Sequence, residues 1–102
     1  MYVVIFRATS GALDDDYAAT AAALRELALR EHGCLGFHAV SEGDAEIALS
    51  YWPSLEAIAA WKARAEHLIG QKRGREGWYT SYRVEIARIE RAYEFPTAAA
   101  AP

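Results

Sequence analysis

Residues 2–8 are apolar on both alternating faces, with Val3 and Ile5 on one and Tyr2, Val4 and Phe6 on the other. A strand of that kind is covered on both sides. Gly11 marks a turn over residues 10–13, and Asp14, Asp15 and Asp16 follow as an N-cap and an acidic first turn suited to the helix dipole. Tyr17, Ala21, Leu24, Leu27 and Ala28 recur at helical spacing, which predicts an amphipathic helix over 14–32 ended by Gly33. Residues 34–40 read as a strand with Leu35, Phe37 and Ala39 on one face, and residues 46–52 as a second with Ile47, Leu49 and Tyr51 alternating. The turn at residues 41–44 joins them as a hairpin. Ser54 then caps a second helix whose apolar face is Ile58, Trp61, Ala65, Leu68 and Ile69.

The final strand is expected over 78–93. Tyr82, Val84 and Ile86 take one face, whereas Ala87 and Ile89 take the other, a switch that suggests either a bulge there or a strand that leaves its own sheet for another environment. Residues 96–102 read as a disordered tail after one domain spanning 1–95. The order β-α-β-β-α-β is the ferredoxin-like arrangement, an α+β fold with an antiparallel sheet. Two helices cover one face of such a sheet. The other face is also apolar here, so a second copy is the expected cover, and a homodimer follows.

Composition sharpens this picture in three places. Of the 102 residues 22 are alanine, so the core must draw its volume from the 12 aromatics and the branched aliphatics. The formal charge of −3 argues against a nucleic-acid partner. No stretch approaches the ~20 apolar residues of a membrane helix, and the first strand, with Arg7 at its far end, does not read as a signal peptide. The single Cys34 excludes an intrachain disulfide and fits a reducing, cytoplasmic setting. His32, Cys34 and His38 lie too far apart along an extended chain, at roughly 6–7 Å per two residues, to share a metal. Cys34 reads as a small buried hydrophobe, and Lys72, Arg73 and Arg75 as either a solvated helix end or a cationic rim.

The stretch Tyr51-Trp52-Pro53-Ser54-Leu55-Glu56-Ala57-Ile58-Ala59-Ala60-Trp61, continuing through Glu66-His67 to Gly74-Arg75 and on to Trp78-Tyr79, resembles the antibiotic biosynthesis monooxygenase family. The resemblance implies a dimeric α+β barrel. Some members oxidise aromatic polyketides without a cofactor, and others degrade haem. Trp61 matches the helix tryptophan that walls the pocket in both classes, although its spacing suits a core aromatic as well. Haem-degrading relatives carry an Asn on the first strand, where Arg7 stands here. Their iron-ligating His falls ten residues after the tryptophan, at Gln71.

The leading functional reading is therefore a cofactor-independent monooxygenase acting on a small phenol- or quinol-like compound between sheet and helices. Trp61 would wall the pocket and His67 or His38 would accept the phenolic proton. Tyr82 or Arg83 would hold the oxygen, with Tyr51 lining the site beside them. His67, about 120° around the helix from Trp61, is expected to be exposed unless the helix breaks. A haem-binding protein and a non-enzymatic, stress-associated dimer sheltering an apolar ligand are the alternatives. The two roles of Trp61 separate by substitution. As a pocket wall, Trp61→Phe should lose about 1–2 kcal/mol in a denaturant titration while binding of a naphthoquinol falls disproportionately. As pure core, Trp61→Ala should cost about 3–5 kcal/mol, and in Trp61→Phe stability and binding should decline together.

Overall fold

The computed structural model describes residues 1–96; the tail expected at 96–102 lies, from residue 97 on, outside the described residues. The chain runs β1 (Tyr2–Ser10), α1 (Asp15–Glu31), β2 (Gly36–Glu42), β3 (Ala45–Trp52), α2 (Leu55–Gly70), α3 (Arg75–Trp78) and β4 (Tyr79–Arg88). The strands form one antiparallel sheet in the order β2-β3-β1-β4, the ferredoxin-like topology expected of this element order.

Local chemistry accounts for the boundaries. The Asp14 carboxylate accepts from the Tyr17 amide at 2.8 Å and opens α1; Gly33, at φ +75°, ends it in a conformation that a side chain would strain. The Ser54 hydroxyl accepts from the Ala57 amide at 3.1 Å and opens α2. Gly43, at φ +60°, turns the β2–β3 hairpin.

Four details correct the sequence reading. The first hairpin strand starts at Gly36, because the Cys34 amide is still tied to the Ala28 carbonyl as α1 terminates. On α1 Tyr17, Leu24, Leu27 and Ala28 face inward as expected, but between them Thr20 takes the buried position and Ala21 is exposed. The irregularity of β4 falls at its beginning. Thr9 pairs with Ser81 and Ser10 with Tyr79, which leaves Thr80 as the extra residue, while the register from Tyr82 to Arg88 is unbroken. Ala87 is simply in phase with the face opposite Ile86. Trp78, expected to start the strand, belongs to the one-turn α3.

Residues directly opposite in an antiparallel pair share a face, so the register sorts the sheet. Tyr2, Val4, Phe6 and Ala8 of β1 share the helix side with Trp52, Ser50, Ala48 and Glu46 of β3 and with Ile86, Val84 and Tyr82 of β4. Val3, Ile5, Leu49, Tyr51 and Ala87 lie on the opposite face, which no helix among the described residues covers. At the far end of that face Glu85 bridges Arg7 at 2.8 Å and Arg83 at 3.4 Å.

The core lies on the helix side and gathers Val4, Ala28, Cys34, Trp52 and Ile58, with Tyr2, Phe37, Ala57 and Trp61 against it. Trp52 is fully buried, and its indole N–H donates to Ser50 Oγ at 2.8 Å, two residues back on the same strand face. Ser50→Ala should therefore cost about 1–3 kcal/mol, the penalty for stranding a buried donor. Ile58→Ala should cost about 2–5 kcal/mol through its cavity. Urea midpoints of the two variants check both, and an unshifted midpoint in Ser50→Ala would mean that the indole has another acceptor.

Candidate functional site

The helices close the helix side of the sheet over β3 and the first half of β1 but leave its β4 margin open. Tyr82 is 67% exposed there, and Val84 and Ile86 are each 50% exposed, although all three point to the same side as the buried Val4 and Trp52. Phe6 borders this strip, with its ring 5.8 Å from Tyr82 and 5.2 Å, edge-on, from Tyr79. A planar apolar molecule laid on the strip would cover aliphatic and aromatic surface that the protein itself does not.

One end of the strip is closed by polar groups. The bulge at Thr80 turns Tyr79 onto the helix side, so that Tyr79 and Tyr82, three residues apart, face the same way. Tyr79 donates its hydroxyl to the Tyr17 hydroxyl at 3.0 Å, and Tyr17 donates to Glu46 Oε1 at 2.7 Å. Glu46 Oε2 is buried and has no hydrogen-bond partner. Alongside, the Trp78 indole donates to Asp14 at 3.1 Å, on the same carboxylate oxygen that caps α1. The backbone stitches these elements together: the amides of Gly11 and Ala12 donate to the carbonyls of Trp78 and Gly77, each at 2.7 Å. A side chain at Gly11 would run into the Gly77 carbonyl, so this close approach requires glycine.

Burial raises both tyrosines above the ordinary phenolic range. For Tyr79 the bond to Tyr17 and the neighbouring Glu46 add to the effect of burial. For Tyr17 burial is the largest cause, Tyr79 works against it and Glu46 with it. Both hydroxyls thus keep their protons at neutral pH and act as donors aligned toward a carboxylate.

The residues singled out from sequence distribute over three surfaces. Trp61 lies half-buried on the helix side against Trp52 (5.3 Å between centroids) and Phe37 (6.4 Å), and its N–H donates to the Leu24 carbonyl of α1 at 3.0 Å. Tyr82 shares that side of the sheet, on the open strip. His38 and Tyr51 meet edge-on at 6.3 Å on the opposite face, where Arg83 joins the Arg7–Glu85 bridge. His67 is exposed on α2, as the helical angle requires, and its Nε2 lies 3.3 Å from the Gln71 amide nitrogen. The Arg75 guanidinium donates to the Lys72 backbone carbonyl at 2.7 Å, which ties these two cationic residues together. Among the described residues no group of three or more His, Cys, Asp or Glu side chains is arranged to hold a metal.

Sequence reasoning missed Tyr17, Glu46 and Tyr79 as a group. Its one available signal was phase. Glu46 sits in register with Ala48, Ser50 and Trp52, and a carboxylate in phase with a buried tryptophan points inward and needs a partner.

Comparison with known proteins agrees with this architecture. The model of the antibiotic biosynthesis monooxygenase family matches residues 1–73. The Bacillus subtilis protein YqjZ, itself uncharacterized, is 38% identical over 91 residues, covering 88% of this chain and 80% of YqjZ. Among solved structures, a variant of SnoaB, a cofactor-independent oxygenase from Streptomyces nogalater, superposes with a TM-score of 0.70 at 11% identity, covering 89% of this chain and 94% of SnoaB. A variant of MhuD with two manganese protoporphyrin IX bound per active site superposes with a TM-score of 0.58 at 16% identity, covering 90% of this chain and 98% of MhuD. With the family model spanning most of its length and a relative well above 30% identity, the chain belongs to the antibiotic biosynthesis monooxygenase family.

Proposed function

We propose that this protein is a cofactor-independent monooxygenase that oxidises a small phenol- or quinol-like compound on the helix side of its sheet. The observation that carries the reading is the uncovered strip of Tyr82, Val84 and Ile86, bordered by the partly buried Phe6, an apolar platform in a family of oxygenases. SnoaB, described as cofactor-independent, supports the same chemistry. In such a reaction the substrate supplies the electrons to dioxygen once it has lost its proton. The protein then contributes an apolar platform, a proton acceptor and donors for the anion. Tyr82 is suited to hold the oxygen, and Trp61 to form the aromatic wall behind it. His67 and His38, the other candidate acceptors, stand on α2 and on the opposite sheet face.

Haem fits these residues poorly. Its iron needs an axial ligand, and the position ten residues after Trp61 is Gln71, the C-cap of α2. Pairing of two copies through the uncovered sheet face completes the proposal, because Val3, Ile5, Leu49 and Tyr51 form an apolar field there. His38, Tyr51 and Arg83 would then serve the pairing rather than the substrate.

Three measurements test this reading. The protein should accelerate aerobic oxidation of a naphthoquinol without added metal or flavin, and an unaccelerated rate would refute the activity. Hemin should give no axially ligated complex; a sharp Soret band at one equivalent, lost in His67→Ala, would instead establish haem binding through that imidazole. Sedimentation at micromolar concentration should give twice the chain mass, and a well-folded monomer would overturn the pairing.

A further inference from the structure

We propose that Glu46, reached through Tyr17 and Tyr79, accepts the proton of a phenolic hydroxyl docked beside Phe6 and Tyr82. The inference rests on the phenol-oxidising reading above and assigns that reaction its proton path.

The direction of the hydrogen bonds carries it. Tyr79 donates to Tyr17 and Tyr17 donates to Glu46, so both protons point toward the carboxylate. The Tyr79 oxygen has spent its proton on Tyr17 and keeps acceptor capacity. The Tyr79 ring packs against Phe6 and Tyr82 at one end of the open strip, and the proposed docking point sets the ligand O–H against its oxygen. A phenol bound there extends the line by one donor. In the transfer the ligand O–H bond breaks and Tyr79 gains that proton as its own passes to Tyr17. The Tyr17 proton passes in turn to Glu46 Oε1. The products are a phenolate on the strip and a neutral carboxylic acid, with no change in total charge and no electron moved. Two tyrosines whose hydroxyls resist ionisation suit this role, since each hands on one proton as it receives another.

The far end is built to receive. Glu46 Oε2 is buried without a donor, so the proton that Oε1 receives breaks no bond at the other carboxylate oxygen. The charged and titratable groups around the line are few. Asp14 precedes α1 and is bound to the Trp78 indole and the Tyr17 amide, Tyr17 comes from α1, and Tyr79 and Tyr82 come from β4. No lysine, arginine or histidine is bonded to Glu46 among the described residues.

The test uses the full chain and two probes. With a naphthoquinol and dioxygen, wild-type turnover at pH 6 should exceed that of Glu46→Gln and Tyr17→Phe at least tenfold. Turnover of the variants should climb with pH, by up to about tenfold per unit, and meet the wild type at or below the pH where the quinol ionises in solvent, the phenolic value of about 10. A merely structural defect would not be rescued by alkali. Independently of turnover, 2-naphthol should bind at least tenfold more tightly than its methyl ether, and Tyr79→Phe should erase the preference while still binding the ether. Far-UV circular dichroism checks each variant; should Glu46→Gln not fold, Tyr17→Phe, which keeps its ring contacts, carries the pH comparison. A wild-type pH profile in both folded variants overturns the proton path while leaving the oxidation reading intact. Hydroxyl preference lost in Tyr79→Phe, in a protein that turns over no quinol, supports the Tyr79 acceptor and overturns the oxidation reading instead. Equal binding of naphthol and its ether to the wild type overturns the proposed docking point.

Discussion

The buried indole of Trp52 is the interaction on which the rest of the fold depends. It stands where β1, β3 and both long helices converge, against Val4, Ala28 and Ile58. A tryptophan brings a polar N–H into that interior, and Ser50 satisfies it from the same strand without calling on a loop or a helix end. The apolar bulk is thereby retained at no cost in orphaned polarity. Two residues later the chain turns and Ser54 caps α2, so the anchor of the core also sets where α2 begins. Trp61, two turns along α2, returns to the same indole and reaches across to the Leu24 carbonyl, tying α1 to α2.

The core gathers around Trp52 and the helices follow it, which leaves the helix side of β4 comparatively uncovered. The alanine-rich α1 contributes Tyr17, Leu24, Leu27 and the fully buried Ala28, and Tyr17 with Trp78 closes only the Tyr79 end of the β4 margin. The strip of Tyr82, Val84 and Ile86 is the result, a helix-side surface that no helix among the described residues covers.

Element order, both helix caps and the apolar stripe of α2 were legible because each rests on local chemistry: Asp14, Ser54, Gly33 and the spacing from Ile58 to Ile69. The alternation of β3 was legible too, but from its exposed side. Ile47, Leu49 and Tyr51 announced themselves as the apolar face, while the truly buried phase held Ser50 and Glu46, whose inward position only pairing with β1 reveals. The bulge was anticipated at the wrong end of β4, because an apolar residue on each face mimics a phase switch. The Tyr17–Glu46–Tyr79 line was illegible for a simpler reason. It joins a helix, a strand and a bulge that composition and spacing treat separately. The six residues chosen from sequence were aromatic, cationic or imidazole side chains, and they divide between the two faces of the sheet and the outer side of α2.

That line has a bearing on how the molecule is made. Its bonds span 29 residues from Tyr17 to Glu46 and 62 from Tyr17 to Tyr79, and the flanking Trp78–Asp14 bond spans 64. Closing such loops is entropically expensive, and the sheet must bring β4 beside β1 before any return is gained. A nascent chain can assemble α1, the hairpin and α2 and still have no aligned hydroxyls. The hydrogen-bonded line therefore belongs to the last contacts formed and the first lost when β4 frays, so local opening at one sheet edge dismantles it while the Trp52 core stays intact.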